Sequence, residues 1–107
     1  MTQQELYNLL LMSSYPVVYH SFKASNEEPV DPPYIVYSFV DSDNISADNK
    51  VSYKRNSYRV ELYTNQKNLE AEESLEKVFD NASIFYDKSE VYIESETMFQ
   101  ISYNIEI

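Results

Sequence analysis

The side chains that most often perform chemistry in proteins are scarce in this sequence. There is one histidine, His20, and there is no cysteine. His20 lies in a Val-Tyr-His-Ser stretch, which is typical of a strand, and no serine stands in a nucleophile context for a Ser-His-Asp arrangement. Without cysteine, the chain has no thiol nucleophile, disulfide, zinc-knuckle or iron–sulfur ligands. The sequence therefore predicts a protein that is not an enzyme and has no catalytic, metal-binding or cofactor-binding residues.

Ligand-binding loops that depend on glycine are also excluded, because the chain contains no glycine. Walker loops, dinucleotide-binding loops and nucleophile elbows need glycine where the backbone approaches a ligand or takes positive φ. Asp41-Ser42-Asp43-Asn44 begins like a calcium loop, but Ser46 stands at the glycine position and Ser52 at the position of the bidentate glutamate. We interpret this segment as a solvated turn.

Two charged clusters could instead mediate binding. The basic cluster holds half of the chain's 8 basic residues within ten positions: Lys50, Lys54, Arg55 and Arg59. The acidic row is spaced by four residues on one face of a predicted helix: Glu72, Glu76 and Asp80. One explanation is that both clusters are simply exposed, solvated faces of a strand and a helix. The alternative is that the two clusters meet in a head-to-tail contact between copies of the chain, which can close into a ring.

The net charge of −10 narrows the classes of partner. It argues against ordinary binding to nucleic acid or to anionic lipid, since basic surface supplies most of the affinity for both. The longest apolar run, Leu9 to Met12, is far shorter than the roughly 20 residues that span a bilayer. We therefore expect an intracellular protein that is not bound to a membrane. An acidic surface suits solubility, a basic partner or the repulsion of DNA.

The elements that position these residues belong to one domain over residues 1–107. A chain of this length can form one modest hydrophobic core. Thr2 followed by Glu5 predicts a capped helix over 2–12. Asn68 or a neighbour caps a second helix over 69–82, with an apolar stripe at Leu75, Val78 and Phe79. Alternating apolar residues predict strands over 15–22, 34–40, 51–64, 84–93 and 98–107. A proline-rich loop over 23–33, a polar connection over 41–50 and turns over 65–68 and 94–97 join them.

This order of elements predicts an α+β fold. The economical arrangement is a mostly antiparallel sheet of four or five strands with the two helices packed on one face. The 11 tyrosines are best explained by packing in the core and at interfaces, because tyrosine offers a large contact area with a polar tip.

Four segments resemble a known family: Pro32 to Tyr37, Ala47 to Val51, Tyr58 to Thr64 and Tyr92 to Glu96. The chain from about residue 30 to its end is similar to the small tail-completion or head–tail joining proteins of long-tailed bacteriophages and prophages of Gram-positive bacteria. The resemblance implies a tail-terminator-like fold and a hexameric ring at the top of the tail tube. It also implies tail-tube and head-completion proteins as partners, and the host cytoplasm during assembly and then the virion as locations. It brings no catalytic residues.

One alternative comes from another class of protein. A small acidic phage-encoded protein could mimic DNA and inhibit a nucleic-acid-binding protein of the host. Such a mimic needs carboxylates spaced like phosphates over a long surface, and the basic cluster interrupts that surface.

Overall fold

The structure is a computed structural model that describes residues 1–47 and 50–107, with side chains described for residues 1–44 and 54–107. Its regular elements follow in chain order: α1 (Gln3–Leu11), β1 (Val17–Tyr19), β2 (Tyr34–Ser42), β3 (Ile45–Ala47), β4 (Lys50–Tyr53), β5 (Asn56–Thr64), α2 (Leu69–Asn81), β6 (Tyr86–Ile93) and β7 (Met98–Glu106). A single 3-10 turn, Glu94–Glu96, joins β6 to β7.

Both helices are capped by the residues that the sequence predicts, although α1 is one residue shorter at each end than the predicted helix over 2–12. Thr2 accepts a hydrogen bond from the Glu5 amide and the Glu5 side chain accepts one from the Thr2 amide, which is the capping box. The Asn68 side chain accepts from the amide of Ala71 at 3.0 Å and starts α2. These caps satisfy amide groups that have no partner within a helix.

The main sheet has five strands in the order β1-β2-β5-β7-β6. β1 is parallel to β2, and the other three strand pairs are antiparallel. The predicted α+β fold with a mostly antiparallel sheet is confirmed, with one parallel pair at an edge.

One face of this sheet, the helix face, forms the core. Opposed residues in the register lie on the same face, and Leu62 lies opposite both Ile35 and Ile101. These three residues share a buried cluster with the apolar stripes of α1 and α2, which contribute Leu6, Leu10, Leu75 and Phe79. The two helices therefore pack on the same face of the sheet, as predicted.

The opposite face, the open face, is more polar and partly covered at one end. It carries Val36, which is buried, and Tyr34, whose ring packs against those of Phe22 and Tyr63. The segment that follows β1 thus shields this end of the sheet, which explains why β2 is apolar on both sides.

The region between β2 and β5 differs from the prediction. The chain over 41–50 is not a plain connection, because it contains the end of β2, all of β3 and the start of β4. The expected long strand over 51–64 is interrupted at Lys54 and Arg55, which separate β4 from β5. β3 and β4 form a separate two-stranded sheet within residues 43–55, which we call the arm.

Two further strands are shorter than predicted. β1 ends at Tyr19 because His20 takes a φ of 66°, which is outside the extended region. β6 begins at Tyr86 rather than at residue 84. The predicted turn over 94–97 contains the 3-10 turn and ends at Thr97, with a φ of 50°.

Candidate functional site

The described side chains of the basic cluster are spread out along the chain rather than gathered in one compact patch. Lys54 is exposed and Arg55 half-exposed between β4 and β5, whereas Arg59 is exposed on the open face of β5. Lys50 begins β4, and its side chain lies outside the described part of the chain. Arg55 and Arg59 are four residues apart along extended backbone, which corresponds to about 13 Å. Glu106, which contacts Arg55, lies on the same face of the main sheet as Arg59, so these two arginines are spread along one side of the sheet rather than gathered in a compact patch.

The acidic row is only partly a solvent-facing row. Glu72 is 2% exposed, Glu76 is half-buried and Asp80 is exposed. The expectation of a solvated face is wrong for Glu72, because α2 turns this side chain towards β6. Among the three, Asp80 is the exposed candidate for a contact with a partner.

Two lysines neutralise the buried part of the acidic row. Lys67 Nζ lies 2.7 Å from Glu72 Oε2, and Lys88 Nζ lies 2.8 Å from Glu72 Oε1 and 2.7 Å from Glu76 Oε2. The contact between Lys88 and Glu72 is an ion pair rather than a well-aligned hydrogen bond. Lys67 also pairs with Glu90 of β6 at 2.5 Å. These residues form the ion network between α2 and β6.

Tyrosines complete the ion network on the side of the core. Tyr103 donates a hydrogen bond to Glu76 Oε2 at 2.7 Å, and Tyr86 donates to Glu76 Oε1 at 3.2 Å. Lys88 Nζ lies 5.9 Å from the centre of the Tyr103 ring, within the range of a cation–π contact. Glu76 is therefore held by Tyr86 and Lys88 of β6 and by Tyr103 of β7.

The electrostatics favour the ionised form of both glutamates. Burial alone would raise the pKa of Glu72, but the contacts with Lys67 and Lys88 outweigh it and lower the pKa below 4.5. Burial also opposes ionisation of Glu76, and its pKa is lowered by Lys88 and the tyrosine hydroxyls. For Lys88, burial acts to lower the pKa, but the two carboxylates raise it overall. The ion network stays charged at neutral pH.

Sequence reasoning missed the lysines of this network. Glu72 and Lys88 are sixteen positions apart and meet only when β6 pairs with β7 beneath α2. The available signal was the alternation in β6, which places Lys88 and Glu90 on the same face as Tyr86.

A second polar cluster lies on the open face. Glu61 Oε2 accepts hydrogen bonds from Tyr63 at 3.0 Å and from the Gln100 amide. Gln100 also donates to the Tyr63 hydroxyl at 2.9 Å. Burial and then the neighbouring Glu61 raise the pKa of Tyr63 well above its usual range, so the hydroxyl stays protonated. This cluster satisfies the polar groups of adjacent strands on the sheet surface.

An apolar groove lies at the end of the main sheet where the arm begins. It has a volume of about 680 Å³ and is lined by residues that include Met1, Val40, Ile84, Phe85 and Ile107. Phe85 is 81% exposed, which is unusual for a side chain of this size. The groove is open to solvent and offers apolar area for a macromolecular contact.

The base of the arm is fixed to the main sheet. Asn56 and Ile107 exchange two backbone hydrogen bonds, at 3.1 and 2.9 Å, and Arg55 Nε lies 3.3 Å from a carboxylate oxygen of Glu106. The Asp43 amide donates to the Arg55 carbonyl at 2.8 Å. The arm therefore leaves the sheet in a direction set by β2, β5 and β7.

His20 stands apart from every cluster described above. It is exposed, and its Nδ1 lies 3.4 Å from the hydroxyl oxygen of the adjacent Ser21. Among the residues that the structure describes, no group of three or more histidine, aspartate or glutamate side chains could hold a metal ion. In the same residues, no helix is long and apolar enough to cross a membrane.

No protein-family model matches the chain, and no curated protein matches it.

Proposed function

We propose that this chain is a non-enzymatic structural subunit of a bacteriophage, which joins or terminates the tail at the head–tail interface by assembling into a ring. The resemblance of residues 30–107 to tail-completion proteins suggests the role, and the surface of the molecule supports self-assembly. Its partners in this proposal are further copies of the chain, the tail-tube protein and a head-completion protein. The hexameric size comes from the resemblance alone.

The arm is the observation that carries the proposal. β3 and β4 pair with each other and are separate from the five-stranded sheet in the described part of the chain. An isolated two-stranded hairpin is at best marginally stable in water, so it gains most from packing on another surface. Because the base of the arm is fixed, the arm can reach a neighbouring copy in a defined direction.

Apolar area and charge add to this support. Val40 and Phe85 are exposed beside the arm base and supply surface that association can bury. The net charge of −10 repels DNA, which is the property that the wall of a DNA channel needs. The DNA-mimic alternative has less support, since lysines neutralise the carboxylates of Glu72, Glu76 and Glu90.

Shortening the arm provides the direct test. Ser42 and Asn56 are paired in the main sheet, so residues 43–55 can be replaced by an Asn-Gly turn that joins the two strands directly. We expect this variant to keep its cooperative melting and to lose ring assembly, as measured by native mass spectrometry and negative-stain microscopy with and without the tail-tube protein. If the shortened chain assembles like the parent, or if the parent stays free of rings even with the tube protein, the proposal is wrong.

A matched pair of variants tests the basic cluster. Lys54→Glu changes the charge at the arm base, and Lys23→Glu makes the same change at an exposed loop position. We expect only Lys54→Glu to weaken assembly, and a second change, Asp80→Lys, to restore part of the loss if these two charges meet across the contact. The effect is modest, because exposed ion pairs contribute only about 0–1 kcal/mol each.

A further inference from the structure

β6 is an edge strand with one open side. It pairs with β7 and is the last strand of the main sheet. Within the described residues no other strand pairs with it, and positions 87–92 are exposed throughout. An open edge presents backbone donors and acceptors that pair readily with another strand.

The side chains of β6 are complementary to those of a second β6 on the helix face. In an antiparallel pair with a two-fold axis at Ser89, each Ser89 lies opposite the other and opposed residues share a face. Lys88 then lies opposite Glu90 of the second copy, and Tyr86 lies opposite Tyr92 of the second copy. Opposite charges and paired aromatic rings are the combinations that stabilise neighbouring strands.

On the open face, the same register covers exposed apolar area. Asp87 lies opposite Val91 of the second copy, and Ile93 lies at the end of the pair. Val91 is 54% exposed in the single chain, so pairing covers an apolar side chain that is otherwise in water.

Charge also excludes the adjacent registers. Moving the axis by one residue places either Lys88 opposite Lys88 or Glu90 opposite Glu90, and like charges directly opposite each other are destabilising. Both side chains are already oriented on the helix face, since Lys88 contacts Glu72 and Glu90 contacts Lys67. The register about Ser89 is therefore selected over its neighbours.

We infer that β6 binds β6 of a second copy of this chain, antiparallel and about a two-fold axis at Ser89, so that two five-stranded sheets join into one. The contact covers the open edge of the free protein. A two-fold contact cannot close a ring of six copies, so it is distinct from the ring contact proposed above and does not depend on it.

Cysteine scanning reads this register directly, because the parent chain has no cysteine. Directly opposed residues in an antiparallel pair have Cα atoms about 4.5–5.5 Å apart, which suits a disulfide. Ser89→Cys should form a disulfide-linked dimer with oxidised glutathione, read on a non-reducing gel. Asp87→Cys and Val91→Cys are matched controls on the same face, and each is about 13 Å from its own copy, so neither should crosslink.

Charge changes at Val91 give a second readout. Val91→Lys faces Asp87 of the second copy and should tighten the dimer, whereas Val91→Asp faces the same carboxylate and should weaken it. Two symmetry-related pairs change in each dimer, so we expect a shift of about two- to thirtyfold in the dimer dissociation constant, measured by analytical ultracentrifugation. The double variant Asp87→Lys with Val91→Asp should restore the affinity.

The outcomes separate this contact from other modes of association. A disulfide at position 89 together with opposite effects of the two Val91 variants supports the β6 contact. Crosslinking through position 87 or 91, through none of the three positions, or equal weakening by both Val91 variants overturns it. Loss of rings on shortening the arm, with the position 89 disulfide retained, shows that the two contacts are separate.

Discussion

Removing the charge of Glu72 tests whether the ion network stabilises the fold. Glu72→Gln keeps the shape of the side chain but removes its negative charge. The NH₂ group of the glutamine replaces one carboxylate oxygen and therefore faces the ammonium group of either Lys67 or Lys88. The parent carboxylate lies 2.7 Å from Lys67 and 2.8 Å from Lys88, and its side chain is 3% exposed. The variant therefore removes two close contacts from a buried position.

The expected loss is about 1–3 kcal/mol of unfolding free energy at pH 7. Breaking a fully buried ion pair costs about 3–5 kcal/mol, and a hydrogen bond to a charged group contributes about 1.5–3 kcal/mol. The loss here is smaller because the side chains of Lys67 and Lys88 are 44% and 37% exposed and keep Glu90 and Glu76 as partners. With the usual unfolding entropy per residue, this corresponds to a melting temperature lower by about 4–13 °C.

The pH dependence has a definite sign. The pKa of Glu72 is lowered from 4.5 in the folded protein, so its stabilisation is present above pH 4.5 and is lost as pH falls through the folded-state value. The difference between parent and variant should therefore shrink as pH is lowered below about 4.5. Thermal unfolding followed by circular dichroism from pH 7 to pH 3, at one protein concentration, measures it.

Glu73→Gln is the matched control, since Glu73 is the next residue of α2 and is exposed. We expect it to change stability by no more than about 0.5 kcal/mol. Equal melting temperatures for the two variants at pH 7, or a difference that does not change with pH, would refute the reasoning about the network.

Three other changes have expected outcomes. Leu75→Ala should cost about 2–5 kcal/mol in denaturant unfolding, because Leu75 is fully buried between α2 and the sheet; an unchanged midpoint would show that this side chain is not in the core. Tyr103→Phe should cost about 1–3 kcal/mol by the same measurement, since it removes the hydroxyl that donates to Glu76, and an effect near zero would mean that water replaces it. His20→Ala should leave ring assembly intact as long as melting shows a folded protein, and a folded variant that fails to assemble would assign a function to this histidine.

The open edge and the arm have a common physical origin. In the described part of the chain, a single copy buries the helix face of its main sheet, while β6 is an edge strand and β3 and β4 form a sheet of only two strands. Exposed strand edges and isolated hairpins are both stabilised by further strands. The two contacts proposed above would each supply a further strand or surface of this kind.

Local sequence signals were sufficient for most elements and for the fold class. The capping box at Thr2, the cap at Asn68 and the alternation over residues 98–107 depend on neighbours in the chain, so periodicity and cap chemistry determine them. The same signals did not predict the end of β1 at His20 or the break between β4 and β5. At His20 a positive φ ends the strand without altering the apolar pattern.

Tertiary structure alone decided the character of the acidic row. The spacing of Glu72, Glu76 and Asp80 determined that they share a helix face, but not that this face turns towards β6. Lys88 reaches Glu72 only because β6 folds back on β7 and brings a distant strand under α2. The sequence by itself thus determined the elements and their apolar faces, whereas the burial and pairing of the charges depended on contacts between residues far apart in the chain, which no local pattern records.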